Sequence, residues 1–359
     1  MHPFVHDVPA SRVVFGVGRR AEVCAELARS GWSRPLLVGS SKATAGSDIG
    51  TLLSEILVGR FEDVVMHVPT EVAQRAIELA RETGADSIVA VGGGSAIGTA
   101  KAVARQTRLP ILAIPTTYAG SEMTPIWGQT EDRRKTTGRD PYVLPRVVIY
   151  DPELTLSLPP GISAASGMNA LAHLVEGLYA PEVSPLTFGT ARDGVGALAG
   201  GLPRVVSHPH DVEARAQVTY GAWLAGWVLG STAMGLHHKI CHTLGGSFDL
   251  PHAACHSVLL PYVIAANSKA APAAMVALEG CLRDEGRATD HAAGSVWDLR
   301  HEIGAPAALA QLHLPASAID EVVDSVVESA PTNPRPVDEE CVRAVLVAAF
   351  AGERPPASL

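Results

Sequence analysis

Val89-Ala-Val-Gly92-Gly93-Gly94-Ser95-Ala-Ile-Gly98-Thr99-Ala-Lys101 reads as a strand, a glycine turn and the start of a helix. Three consecutive glycines let a backbone pass close to a pyrophosphate, and a new helix N-terminus offers free N–H groups and a positive dipole end. The spacing is neither GxGxxG nor a Walker A loop, because no Gly-Lys-Ser/Thr follows. A plain tight turn would satisfy the glycines alone. Pro115-Thr116-Thr117-Tyr118-Ala-Gly-Ser121 places more hydroxyls after the next strand, and two such neighbouring loops favour a dinucleotide. Gly92, Gly93, Gly94, Ser95, Thr116, Thr117 and Ser121 are therefore the expected cofactor-binding residues.

Outward from this loop, Arg12–Gly18, Pro35–Gly39, Phe61–Val68, Ser87–Val91 and Pro110–Pro115 read as strands. Helical patterns over Ala21–Ser30, Ile49–Leu57 and Glu71–Thr83 separate them. Such alternation predicts an α/β dinucleotide-binding domain with a mostly parallel sheet. After Pro159-Pro160 the chain turns alanine- and leucine-rich with helical periodicity. The expected division is residues 1–159 as the α/β domain and 160–359 as an all-α helical domain. Ser40 lies in the loop after the second strand and joins the expected cofactor set. That loop, Gly39-Ser40-Ser41-Lys42, has no acid to clamp a ribose 2′-hydroxyl or repel a 2′-phosphate, so both NADH and NADPH are expected.

The chain has 359 residues, a net charge of −9 and five scattered cysteines. No basic stripe suggests nucleic acid, no apolar run is long enough to span a membrane, and Met1–Asp7 does not read as a signal peptide. The odd cysteine count suits reduced thiols, so a cytoplasmic location is expected.

The helical half carries a histidine-rich window, Gly235-Leu-His237-His238-Lys239-Ile-Cys-His242-Thr-Leu-Gly245-Gly246-Ser-Phe-Asp-Leu-Pro251-His252-Ala-Ala-Cys-His256. His238 and His242 are four apart, so on a helix they share a face. Gly245-Gly246 is expected to end that helix and Pro251-His252 to open the next, turning His238, His242, His252 and His256 toward a common space. Asn169 and His173 repeat the four-residue spacing.

These residues resemble the iron-containing alcohol dehydrogenase superfamily along essentially the whole chain. The superfamily's metal ligands come from an Asp-x-x-x-His motif and two histidines fourteen apart. Here the first motif reads Asn169-Ala-Leu-Ala-His173, and His238 and His252 have the second spacing. His242 matches a superfamily histidine near the nicotinamide. Within the superfamily the chain looks most like the maleylacetate reductase family, through Pro115–Gly128, Lys135–Asp140, His237–His252 and Thr332-Asn-Pro-Arg-Pro336. The resemblance implies reduction of 2-maleylacetate to 3-oxoadipate by NADH or NADPH in aromatic-ring degradation, with a homodimer as the expected assembly.

Such a substrate is a small dicarboxylate. The site must meet two carboxylates, stabilise an enolate oxygen and supply a proton. His173, His238, Lys239, His242 and His252 are the expected catalytic groups. Asn169 and His237 join His173, His238, Lys239 and His252 in binding substrate. Asn169 replaces an anionic ligand with a neutral amide, and Lys239 would repel a cation, so no metal is expected. If one binds, Asn169, His173, His238 and His252 would hold it. The alternatives are a metal-dependent alcohol or glycerol-type dehydrogenase, which reduces a carbonyl, and a non-catalytic metal-binding protein.

Overall fold

The computed structural model describes residues 4, 10–131, 134–181 and 183–359. Most of the N-terminal stretch read for a leader lies outside them. The strands are β1 (Arg12–Phe15), β2 (Pro35–Val38), β3 (Gly59–Phe61), β4 (Ser87–Gly92), β5 (Ile111–Pro115), β6 (Ile126–Glu131), β7 (Arg134–Arg139) and β8 (Val147–Tyr150). Six of them form one sheet in the order β1-β8-β5-β4-β2-β3, and every pairing in it is parallel. β6 and β7 form a separate antiparallel hairpin.

Helices α1 (Val23–Arg29), α2 (Ser41–Gly46), α3 (Ile49–Leu52), α4 (Thr70–Glu82) and α5 (Gly94–Thr107) alternate with the first strands. β4 is buried along its whole length, as a central parallel strand covered on both faces must be. Leu37, Val89, Val91, Leu112, Ile114 and Ile149 from the strands share a core with Val23, Leu27, Ile49 and Leu53.

The remaining helices are α6 (Pro160–Tyr179), α7 (Pro185–Ser207), α8 (Val212–Ser231), α9 (Leu236–Phe248), α10 (His252–Asn267), α11 (Pro272–Asp284), α12 (Ala292–Glu302), α13 (Ala318–Glu328) and α14 (Glu339–Ala351). Two compact units result. One runs up to Leu158 and adds His210–Thr219; the other holds Pro159–Pro209 and Tyr220–Leu359. The short insertion has a local anchor. Arg215, fully buried, donates to the Tyr118 hydroxyl at 3.0 Å and to the Leu158 carbonyl at 3.0 Å.

Three local expectations need correction. Phe61–Val68 is not a strand: β3 stops at Phe61, Val65 and Met66 stand exposed, and His67 and Val68 adopt positive φ. Ile49–Leu57 shortens to the single turn α3, and the Ser40–Lys42 loop is instead the start of α2. Gly245-Gly246 does not end α9. Leu236, Ile240 and Leu244 pack one face of that helix into the core, which carries it to Phe248, and Asp249 closes it at φ 54.

Candidate active site: a nucleotide loop and an imidazole cluster

In the sheet unit, β4 ends at Gly92 with φ +141, a backbone that side chains rarely adopt, and a Cβ there would meet Ala96 at 2.9 Å. A Cβ on Gly93 would lie 2.9 Å from Thr117, so these two glycines also serve close packing. Gly94 and Ser95 open α5, whose N-cap is Gly93 and so has no side chain to satisfy the first N–H groups. Thr116 N–H donates to the Gly92 carbonyl at 3.1 Å, which holds the two loops side by side. Ser121 begins a short 3-10 turn. Its carbonyl accepts from Lys101 Nζ at 2.6 Å, and the same ammonium bonds the carbonyls of Thr124 and Ile126 at 2.8 and 2.7 Å. Lys101 therefore staples α5 to the hydroxyl loop. Nothing local in the sequence marks Lys101 for this role, because its acceptors lie 20 to 25 residues further along the chain.

Ser40 spends its hydroxyl as the N-cap of α2, accepting from Ala43 N–H at 3.3 Å. Its loop has no acid, but β3 delivers one. Glu62 accepts from the Ser41 hydroxyl at 3.0 Å and the Thr44 hydroxyl at 2.9 Å. That proximity follows from strand order rather than sequence distance.

In the helical unit, six imidazoles form one continuous cluster. His173 stacks on His238 with ring centroids 5.0 Å apart, and His238 lies 4.6 Å from His256 and 6.1 Å from His242. His252 lies 4.4 Å from His256 and stacks on His242 at 5.6 Å, while His237 sits 4.8 Å from His256. The helix spacings explain this. The 236/240/244 face of α9 faces the core, so residues 238 and 242 face elsewhere and share one side. Lys239 is half-exposed, about 100° round the helix from His238, flanking rather than sharing the imidazole face. His242 is exposed and His252 partly so, whereas Asn169, His173, His237, His238 and His256 are buried.

Hydrogen bonding divides the cluster into two layers. His237 Nε2 meets His256 Nδ1 at 2.8 Å, and His256 Nε2 meets His252 Nε2 at 3.1 Å. The other layer is unspent: Asn169 Oδ1, His173 Nδ1 and His238 Nε2 are buried with no hydrogen-bond partner among the described residues. Burial first, then the neighbouring rings, hold His173 and His256 well below the usual imidazole range, so both are neutral near pH 7. Burial lowers His237 to about 3, against a smaller opposing pull from Glu176.

Glu176 was missed in the sequence. It lies on α6 three residues after His173, so Asn169, His173 and Glu176 share one helix face, and that spacing was the available signal. Its carboxylate accepts from His237 N–H at 2.9 Å, Gly235 N–H at 3.3 Å and His238 Nδ1. Gly235 has no room for a side chain, since a Cβ would come 2.4 Å from the Thr332 carbonyl. The segment Thr332–Pro336 is in turn held by paired amides, Asn267 to Asn333 at 3.0 Å and back at 2.7 Å.

As a metal cradle the quartet Asn169, His173, His238 and His252 fits poorly. It contains no carboxylate, and Glu176 spends its oxygens on the start of α9 and on His238. His252 Nε2 is already engaged by His256. A divalent ion there would be buried among neutral ligands, although three imidazoles alone do hold zinc in some proteins.

The iron-containing alcohol dehydrogenase profile matches residues 10–152, and the C-terminal profile of the same family matches 163–350. A maleylacetate reductase of Delftia acidovorans is 46% identical over 353 residues, covering 98% of this chain and 99% of that protein. The crystal structure of maleylacetate reductase from Agrobacterium tumefaciens superposes with a TM-score of 0.94 at 44% identity, covering 99% of this chain and 100% of that one. The structure of the enzyme of that name from a Rhizobium species gives 0.94 at 45%, with the same coverage. Matched through both units and at this identity, the chain belongs to the iron-containing alcohol dehydrogenase family of oxidoreductases.

Proposed function

We propose that this chain reduces 2-maleylacetate to 3-oxoadipate with NADH or NADPH, and does so without a metal. The observation that carries this reading is the unspent layer of Asn169, His173 and His238, polar, buried and free of any carboxylate except the fully engaged Glu176. Such a surface holds no free carboxylate to repel a dianion, and none to offset the charge of a divalent cation. The relatives named maleylacetate reductases, similar over their whole length, point to which dianion it is.

The sheet unit supplies the nucleotide loop. Free N–H groups at the start of α5 meet the pyrophosphate, and Lys101 holds the adjoining hydroxyl loop in place. Hydride then passes from the dihydronicotinamide to the alkene carbon β to the ketone. The alkene electrons move to form an enolate, whose oxygen needs hydrogen-bond donors, and a proton delivered to the α carbon completes the product. Imidazoles of His173 and His252 with the Asn169 amide are the oxyanion and carboxylate partners, and His238, held through Nδ1 by Glu176, joins them as a donor once its Nε2 carries a proton. Lys239 adds a positive charge at the rim, and His242, the most solvent-open ring, is placed to recharge or deliver the proton. The family is named for iron, so metal-free reduction is a departure from it that rests on the composition of the quartet.

The rival reading, a metal-dependent alcohol or glycerol-type dehydrogenase, is favoured by the same unspent atoms, which a metal would also use. The test is NADH oxidation by the purified protein with maleylacetate and, separately, with simple alcohol–aldehyde pairs. Turnover of aldehydes but not maleylacetate would replace the proposal with its rival. The working assembly is proposed to be a homodimer, which sedimentation measures directly.

A further inference from the structure

We infer that Glu176 is a positioning residue for the reduction: its carboxylate fixes His238 as the Nδ1–H tautomer and leaves Nε2 as the ring position presented to substrate. The inference rests on the proposed function only for what that substrate is. Glu176 is 1% exposed, and its two oxygens take three donors: His237 N–H at 2.9 Å, Gly235 N–H at 3.3 Å and His238 Nδ1. Two of these donors are backbone N–H groups, which can only donate, so both oxygens of Glu176 already serve as acceptors. An ionised carboxylate only accepts, so the ring nitrogen facing it must carry the hydrogen. His238 Nε2 is then the ring's one open position, and it is buried with no hydrogen-bond partner among the described residues. When a proton arrives there, Glu176 balances the charge, as the carboxylate of a catalytic triad does for its histidine.

A purely structural role makes the same contacts. Gly235 and His237 lie at the start of α9, where a carboxylate satisfies orphan N–H groups and favours the dipole. The two roles separate in Glu176→Gln. The glutamine carbonyl keeps the bond from His237 N–H, which sets the amide orientation. The amide nitrogen then faces His238 Nδ1 and donates to it, so the ring must take the Nε2–H tautomer. The 2.9 Å half of the cap, from His237 N–H, survives while the 3.3 Å bond from Gly235 N–H, which shares its oxygen with His238, is lost and the tautomer inverts.

The experiment combines nitrogen-15 spectra of histidine-labelled protein, without ligands, with steady-state kinetics and thermal melts. In wild type, His238 should show a protonated Nδ1, and Glu176→Gln should exchange the two nitrogen signals. The same variant should lose about 10²-fold or more in kcat/KM for maleylacetate, keep its KM for NADH and melt within a few degrees of wild type. Glu176→Asp, too short to reach both the helix start and the ring, should lower activity and melting temperature together. A wild-type His238 without a proton on Nδ1 would overturn the inference, and so would an inverted tautomer in Glu176→Gln with kcat/KM retained. If wild type fails to reduce maleylacetate, the functional reading falls, and the nitrogen spectra alone still decide the tautomer.

Discussion

His252 and His256 meet Nε2 to Nε2 at 3.1 Å, one turn apart on α10. Such a contact needs one N–H and one lone pair, so it survives only while at least one ring is neutral. His256 also meets His237 at 2.8 Å through its other nitrogen, extending the same requirement inward.

Acid should therefore loosen the helical unit. Burial holds His173, His237 and His256 below the ordinary imidazole value of about 6.5, so the unfolded chain binds more protons than the folded one as pH falls through that value. Their contribution is complete well above that value and is lost progressively below it, by about 2 kcal/mol at pH 5 for His237 alone. Urea unfolding at pH 7 and pH 5 should show a drop of about 2 kcal/mol or more. A flat profile would mean that these rings are not held neutral.

Gly93→Val should raise the KM for NADH about tenfold or more while the protein still folds. The new side chain meets Thr117 at 2.9 Å and pushes the hydroxyl loop away from the turn, an overpacking cost of about 1 to 3 kcal/mol. An unchanged KM in a folded variant would put the dinucleotide somewhere else.

NADH and NADPH should give kcat/KM values within about tenfold, roughly 1.4 kcal/mol in transition-state terms. The loop after β2 carries no acid, and both oxygens of Glu62 are occupied by the hydroxyls of α2. A hundredfold preference for NADH contradicts this. It would make Glu62 the ribose reader, and Glu62→Gln should then remove the preference.

Much of the architecture was written in local pattern. The apolar run ending at Gly92 sits at the centre of the sheet, and the four-residue histidine spacings bring their rings together as helix geometry requires. What was not legible depended on tertiary neighbours. Val147–Tyr150 is four residues long and earns its place by pairing with both β1 and β5, strands distant in sequence. The β6–β7 hairpin, polar and threonine-rich, lacks an apolar alternation to mark it. Val65 and Met66 imitate a strand but have no sheet to enter. Gly245-Gly246 looked like a stop signal, yet core packing by Leu244 and its neighbours outweighs their poor helix propensity. Glu176 and Glu62 were invisible as partners because each works through a residue from another element.

Asn169→Asp should create the carboxylate that the quartet lacks. Zinc or ferrous affinity should rise, by about tenfold or more as measured by competition with a chelator. Reduction of maleylacetate should fall, because a new anion opposes a dianion in a buried setting. Higher activity in metal-loaded Asn169→Asp than in wild type would favour metal-assisted chemistry.

The central claim is reduction of maleylacetate by imidazole and amide groups without a metal. Its most direct test is the activity of the wild-type protein before and after prolonged chelation, with metal content assayed in the same samples. The account predicts substoichiometric metal throughout and activity nearly unchanged. Stoichiometric bound metal, with activity lost on its removal and regained on its return, would contradict it.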